Sequence, residues 1–211
     1  DDSKNKILDL NNDFINSYAS FKYIHNKKSY GAVRNWNKLI SIAKGKYFWL
    51  LHHDEFWDKN RDLIKYILEI IDNKSPNCII LSISKEKEIK FHKLKFRIRQ
   101  RHFNNNKIMR KFINNPKLLV YLNNIGPPST LIYKKNPNKY DTNLNFLVDI
   151  DFYIKLLNKF NSQQILIGSE NYNLISSQNN SNSITKSLKQ SLIQIKQKET
   201  RFLLNKYKFK F

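Results

Sequence analysis

Apolar positions along this chain fall into two periods. Ile7, Leu8, Phe14 and Ile15 recur at helical spacing and predict a helix over 7–17. Trp36, Leu39, Ile40 and Ala43 predict a second over 35–43, with Gly45 just beyond, where a terminating glycine is expected. Short, largely apolar runs at 47–51, 78–84, 131–133 and 164–167 predict short buried strands, and 21–25 is a further strand candidate. Helical patterns return at 62–71 and 148–160, and a final amphipathic helix spans 184–206. Helices that alternate with buried strands describe an α/β domain.

The pattern changes character after Ser84. Residues 85–111 are polar and basic, with Phe91, Leu94, Phe96, Ile98 and Phe103 between the charges, and read as part helix, part loop. The run 176–183 is built almost wholly from Ser, Asn and Gln and reads as a flexible loop. With 13% aromatic residues the chain is a folded protein rather than a disordered one. No apolar run approaches the roughly 20 residues of a membrane span. The lone Cys78, inside an apolar run, reads as a buried thiol.

The net charge of +21 admits nucleic acid, an anionic membrane surface or an anionic substrate as partner. Lysine, asparagine and isoleucine are all abundant, so much of this charge has the look of AT-rich coding drift. Drift does not account for arginine: of seven in the chain, Arg97, Arg99, Arg101 and Arg110 all fall within 85–111. Arginine binds phosphate oxygens through a planar fork.

The most chemical stretch is 47–57, an apolar strand that ends in His52-His53-Asp54-Glu55 and continues into Phe56-Trp57. In open α/β sheets ligands bind at the carboxyl ends of strands. Acids there suit a divalent ion that in turn holds a diphosphate, although a plain polar turn has the same composition.

The order of the surrounding pieces decides between those readings. Gly31-Ala-Val-Arg-Asn-Trp-Asn37, Ala43-Lys-Gly45-Lys-Tyr47 and His53-Asp54-Glu55 together resemble the family 2 glycosyltransferases of the GT-A fold. Asp1-Asp2-Ser3 resembles the end of that family's nucleotide-binding strand. Gly126-Pro-Pro-Ser-Thr130 resembles its acceptor-side strand, and Val148-Asp149-Ile-Asp151 resembles the start of the helix that carries its base. The likeness covers about residues 1–175, with 176–211 left as loop and C-terminal amphipathic helix and 85–125 as a basic acceptor-side excursion.

The resemblance implies a Rossmann-like nucleotide-sugar-binding domain around a central, mostly parallel sheet. The family's opening strand, helix and strand are not found ahead of Asp1, so a fragment lacking half of the nucleotide pocket is expected. It implies transfer of a sugar from a nucleotide-diphosphate donor to an acceptor hydroxyl, with inversion. Asp149 would be the base. Asp54 and Glu55 would hold Mn²⁺ or Mg²⁺, since His52 replaces the first acid of the usual motif. Asp2, Arg34, Asn37, His53 and Asp54 would contact the donor; Arg97, Arg99, Arg101 and Trp57 would lie on the acceptor side.

A helix N-terminus would keep Asp149 ionised, and Asp151 would cap or position the helix. The expected acceptor is a glycan or lipid-linked diphosphate, the expected place cytoplasmic and peripheral to an anionic membrane, in cell-surface glycan synthesis. Two other readings compete: a basic single-stranded nucleic-acid binder, for which aromatics interleaved with charge speak and the lack of any known motif speaks against, and a glycosyltransferase-like domain without activity.

Overall fold

The computed structural model describes residues 21–52, 55–58, 62–91, 94–101, 106–177 and 192–209; for 85–91, 94–101 and 177 it describes the backbone. The chain divides into two compact units, residues 1–43 and 44–211. The helix expected at 7–17, and the part of the C-terminal helix expected at 184–191, lie outside the described residues.

In the first unit Ala32–Ile42 forms helix α1. It follows Gly31, whose φ of 76° is a left-handed conformation that favours glycine. The Asn26 side chain donates to Asn35 Oδ1 at 3.0 Å and accepts from Lys38 Nζ at 2.6 Å, which ties the preceding segment to the helix. The strand expected over 21–25 is absent. The described backbone over 21–25 takes no regular secondary structure. Helix α1 ends with Ala43 in extended conformation, so Gly45 does not form a left-handed cap. Its constraint is steric instead: a Cβ there would come within 3.0 Å of the Tyr47 carbonyl oxygen.

The described residues of the second unit hold two four-stranded sheets. The first is built from β1 (Tyr47–Trp49), β3 (Cys78–Ile80), β6 (Leu131–Lys134) and β7 (Ile165–Ile167), in the order β1-β6-β3-β7. The second joins β2 (Glu55–Trp57), β4 (Ile83–Phe91), β5 (Leu94–Arg101) and β8 (Leu174–Ser177), in the order β2-β8-β4-β5. Both sheets are mixed. In the first, β3 and β7 pair in parallel, whereas β6 runs antiparallel between β1 and β3. The expected mostly parallel pairing is therefore corrected. An apolar run reports that a strand is buried on both faces, and its composition carries no mark of direction. Because β1, β3 and β7 still point the same way, their carboxyl ends share one edge of the sheet.

The second correction concerns 85–111. Its first part is a long antiparallel ribbon, β4 with β5, and among its described residues the helix begins at Asn106 (α3, Asn106–Asn114). A period of two is visible in Ile89, Phe91, Leu94, Phe96 and Ile98 once the register is known, but the lysines between them disguise it. Ser176 and Ser177, expected in a loop, belong to β8, which runs parallel to β4.

Helix α2 (Leu63–Lys74) starts where Asp62 accepts from the Lys65 N–H at 2.9 Å, a side-chain cap at the residue from which the helix was expected to begin. Its Leu63 and Ile67 pack with Ile79, Leu81, Ile83, Ile132 and Leu174 into a core that draws on both sheets. Helix α4 (Val148–Lys159) is the most deeply buried, and Phe152 stacks on Tyr140 at 4.1 Å and meets Tyr133 at 5.4 Å. The C-terminal helix α5 (Leu192–Lys206) buries only Glu199 and Leu203. Among the described residues no helix is long and apolar enough to cross a membrane.

Candidate active site

The site is assembled from three pieces of the second unit. The first is the turn from β1 into β2. Its Glu55 side chain is almost fully buried, and Oε2 accepts from the His52 backbone N–H at 3.0 Å. Oε1 lies 4.0 Å from His52 Nδ1. Trp57, at the end of β2, is half-buried and stacks on Trp49 with ring centres 6.0 Å apart; Trp49 in turn donates to the Ser129 carbonyl at 2.7 Å.

The second piece is the turn before β6. Asn123 Oδ1 accepts from the N–H groups of Ile125 and Gly126 at 3.1 and 3.0 Å. Gly126 sits at a φ of 103°, with the Thr130 methyl 3.2 Å from where a Cβ would stand. Glycine is thus required twice over, by conformation and by space. Its carbonyl accepts from Asn123 Nδ2 and from the Tyr153 hydroxyl, both at 3.0 Å.

The third piece is the first turn of α4, where Asp149 stands. Oδ1 accepts from the Ile150 N–H at 2.9 Å and Oδ2 from Asn123 Nδ2 at 3.0 Å. Burial pushes its carboxyl up to about 6, against the hydrogen bonds from Ile150, from its own N–H and from Asn123, which all pull the other way. The expectation that the helix start keeps this carboxylate low is corrected. The helix donors do act, but the loss of water outweighs them. Tyr153 is fully buried, and after desolvation the charges that hold its hydroxyl protonated include those of Asp149 and Glu55.

Asp151, two residues on, does different work. It is fully buried, 2.6 Å from Lys155 Nζ and 2.7 Å from Lys206 Nζ, and accepts from the Tyr207 hydroxyl at 2.7 Å. Its partners lie on α4 itself, on α5 and just past the end of α5, so it anchors one helix to the other.

The sequence profile of glycosyl transferase family 2 matches residues 1–138. The chain belongs to that family. No curated protein and no solved structure matches it. The family supports an α/β fold of GT-A type and a glycosyltransferase activity on a nucleotide-sugar donor and an acceptor. Asp149 lies beyond the matched span, so its place rests on the helix start and on the geometry around it.

Arg34 and Asn37 lie three apart on α1 in the first unit. Asp2, His53 and Asp54 are outside the described residues, and among the described residues no three His, Cys, Asp or Glu cluster around a common point. Arg97, Arg99 and Arg101 lie on β5, where they are registered opposite Glu88, Glu86 and Ser84. Arg110 leaves the basic group altogether: its guanidinium donates to the carbonyls of Ser162 and Ile165 and pins α3 to the start of β7. Cys78 is fully buried, and burial pushes its thiol up, as expected of a core residue.

Two residues of the site were not legible in the sequence. Asn123 sits in an Asn-Asn-Ile-Gly turn that looks like any other turn, and Tyr153 lies within an apolar helix face. A third, Glu199, left a trace: it is the one acid between Asn171 and Phe211.

Proposed function

We propose that this chain transfers a sugar from a nucleotide-diphosphate donor to an acceptor hydroxyl with inversion, and that Asp149 is the base. One observation carries the reading: a buried carboxylate whose ionisation is drawn up to about 6, fixed by Asn123 on a turn next to the carboxyl edge of the first sheet. A general base works best with an affinity for protons near the working pH. Above that value Asp149 is ionised, and it takes the acceptor's proton as the hydroxyl attacks the anomeric carbon opposite the leaving diphosphate. Tyr153, held protonated and bonded to Gly126, stays a neutral wall beside it.

The donor's diphosphate is assigned to the turn after β1, with Asp54 and Glu55. Glu55 offers a hard carboxylate oxygen, its Oε1 4.0 Å from the His52 imidazole, a donor type that suits Mg²⁺ or Mn²⁺. Such an ion supplies neutralisation of the departing diphosphate. Asp2, Arg34, Asn37 and His53 are assigned to the donor on the strength of the family pattern.

The ribbon β4–β5 is assigned to the acceptor. Its register sets Ile89 opposite Phe96 and Phe91 opposite Leu94 near the turn, with Lys90 opposite Lys95 between them. Apolar and basic pairs in alternation suit the surface of an anionic membrane, where each basic residue adds about 1 kcal/mol. On this reading the enzyme works in the cytoplasm, at the inner face of the membrane, on a lipid-linked acceptor of cell-surface glycan synthesis.

The test is a panel of nucleotide sugars with Mn²⁺, read as donor hydrolysis or transfer, followed by Asp149→Asn on the donor found. That variant should bind the donor normally and lose transfer by roughly 10²–10⁴-fold. Transfer within a few-fold of the parent would remove Asp149 from the mechanism; oligonucleotide binding that falls steeply with salt, with no turnover of any donor, would favour a nucleic-acid binder.

A further inference from the structure

Helix α4 begins without a cap of its own. The residue at its cap position is Leu147, whose side chain accepts nothing. The donors ahead of the first turn are satisfied instead from another element. Glu199 of α5, nearly fully buried, accepts from three consecutive backbone N–H groups: Asn145 at 2.6 Å through Oε1, and Phe146 at 3.0 Å and Leu147 at 2.7 Å through Oε2. Successive N–H groups converging on one anion form a nest, and the helix dipole adds to its pull. One turn further along α5, Leu203 is wholly buried. At the end of the helix Lys206 and Tyr207 hold Asp151. Positions 199, 203 and 206 fall on one face of a helix, so α5 lies against α4 with a carboxylate at one end of the contact and an ammonium at the other.

Between those two anchors stands Asp149. It follows Leu147 by two residues and precedes Asp151 by two. A carboxylate at the first turn of a helix is placed only as well as that turn is placed. Here the turn has no local cap, and its position is set from outside by Glu199.

We propose that Glu199 is a positioning residue for transfer: it caps the start of α4 from the C-terminal helix and so fixes where Asp149 meets the acceptor. The C-terminal segment is thereby part of the catalytic unit, although it lies outside the residues that match the family. The proposal rests on Asp149 being the base. A purely structural cap would lower stability and leave the chemistry of the folded molecule untouched; a positioning cap alters that chemistry.

The experiment compares the parent with Glu199→Gln, Glu199→Ala and Asp149→Asn in the full chain, each at a temperature well below its own Tm. For Glu199→Ala, kcat should fall ten-fold or more while KM for the donor stays within two-fold. The acid limb of kcat should move upward, because the hydrogen bonds from Ile150 and Asn123 that hold Asp149 down are loosened, with Tyr140 and Tyr153 still facing it. Glu199→Gln, which keeps one accepting oxygen and the side-chain volume, should fall between. Amide exchange at residues 145–147 should quicken in both.

Unchanged kcat and an unchanged acid limb in folded Glu199→Ala, beside a dead Asp149→Asn, would overturn the positioning role and leave the base in place. An active Asp149→Asn would overturn the base itself. Should Glu199→Ala fail to fold, Glu199→Gln with full kcat and normal exchange at 145–147 overturns the proposal by itself.

Discussion

Replacing Asn123 by aspartate changes one atom of the site and reverses its electrostatics. In the parent, Asn123 Oδ1 accepts from Ile125 and Gly126, while Nδ2 donates to Asp149 Oδ2 at 3.0 Å. Aspartate keeps the volume and the accepting oxygen but turns a second oxygen toward Asp149. Two carboxylates about 3 Å apart repel by roughly 5 kcal/mol at an effective dielectric of about 20, or close to four pKa units. Even if relaxation and water cancel half of this, the pair holds one shared proton through neutral pH.

In the parent, burial has already raised Asp149 to about 6, so kcat/KM should show an acid limb near 6. In Asn123→Asp that limb should lie about two units higher or more, with activity recovered only in alkali. Stability follows the same sign. A carboxyl raised above its unfolded value of about 4 helps the fold most below that value, and the help is lost as pH rises through the folded one. The decline in Tm with rising pH should therefore extend to higher pH in the variant than in the parent. The assay is kcat/KM against pH from 5 to 10 on the donor found by screening, with Tm over the same range. An acid limb within half a unit of the parent's, with an unshifted Tm profile, would refute the pairing of 123 with 149 or the role of Asp149.

Two further outcomes are expected. Asp54→Asn should abolish Mn²⁺-dependent binding of a nucleoside diphosphate and leave the far-UV dichroism unchanged; calorimetry showing parent-like binding of metal and nucleotide would move the diphosphate elsewhere. Changing Arg97, Arg99 and Arg101 together to glutamine should reduce co-sedimentation with anionic vesicles and leave that with neutral vesicles unaffected, whereas equal partitioning of parent and variant onto anionic vesicles would take those arginines out of the membrane contact. The register of Arg97 and Arg99 opposite Glu88 and Glu86 supplies the rival explanation for their presence, since opposite charges across a ribbon stabilise it.

Much of the architecture is written locally. The Asp62 cap, the buried run at Cys78–Ile80, the strand at Leu131–Lys134 and the helix from Val148 each follow from residues within a few positions of one another, and each appears close to where the pattern puts it. The ordered motifs from Gly31 to Glu55 were sufficient to point to the family.

What the sequence left open depends on partners distant in the chain. The antiparallel course of β6 between β1 and β3 has no local signature, because burial on both faces looks the same in either direction. The β4–β5 ribbon was disguised by the charges that alternate with its apolar positions. The ionisation of Asp149 was misjudged for the same reason: the helix start that lowers it is local, whereas the packing that excludes water comes from the whole of the surrounding fold. The cap of α4 lies over fifty residues downstream, at Glu199. Periodicity and capping are properties of neighbours in sequence; strand direction, desolvation and a cap supplied by another helix are properties of neighbours in space, and only tertiary structure brings those together.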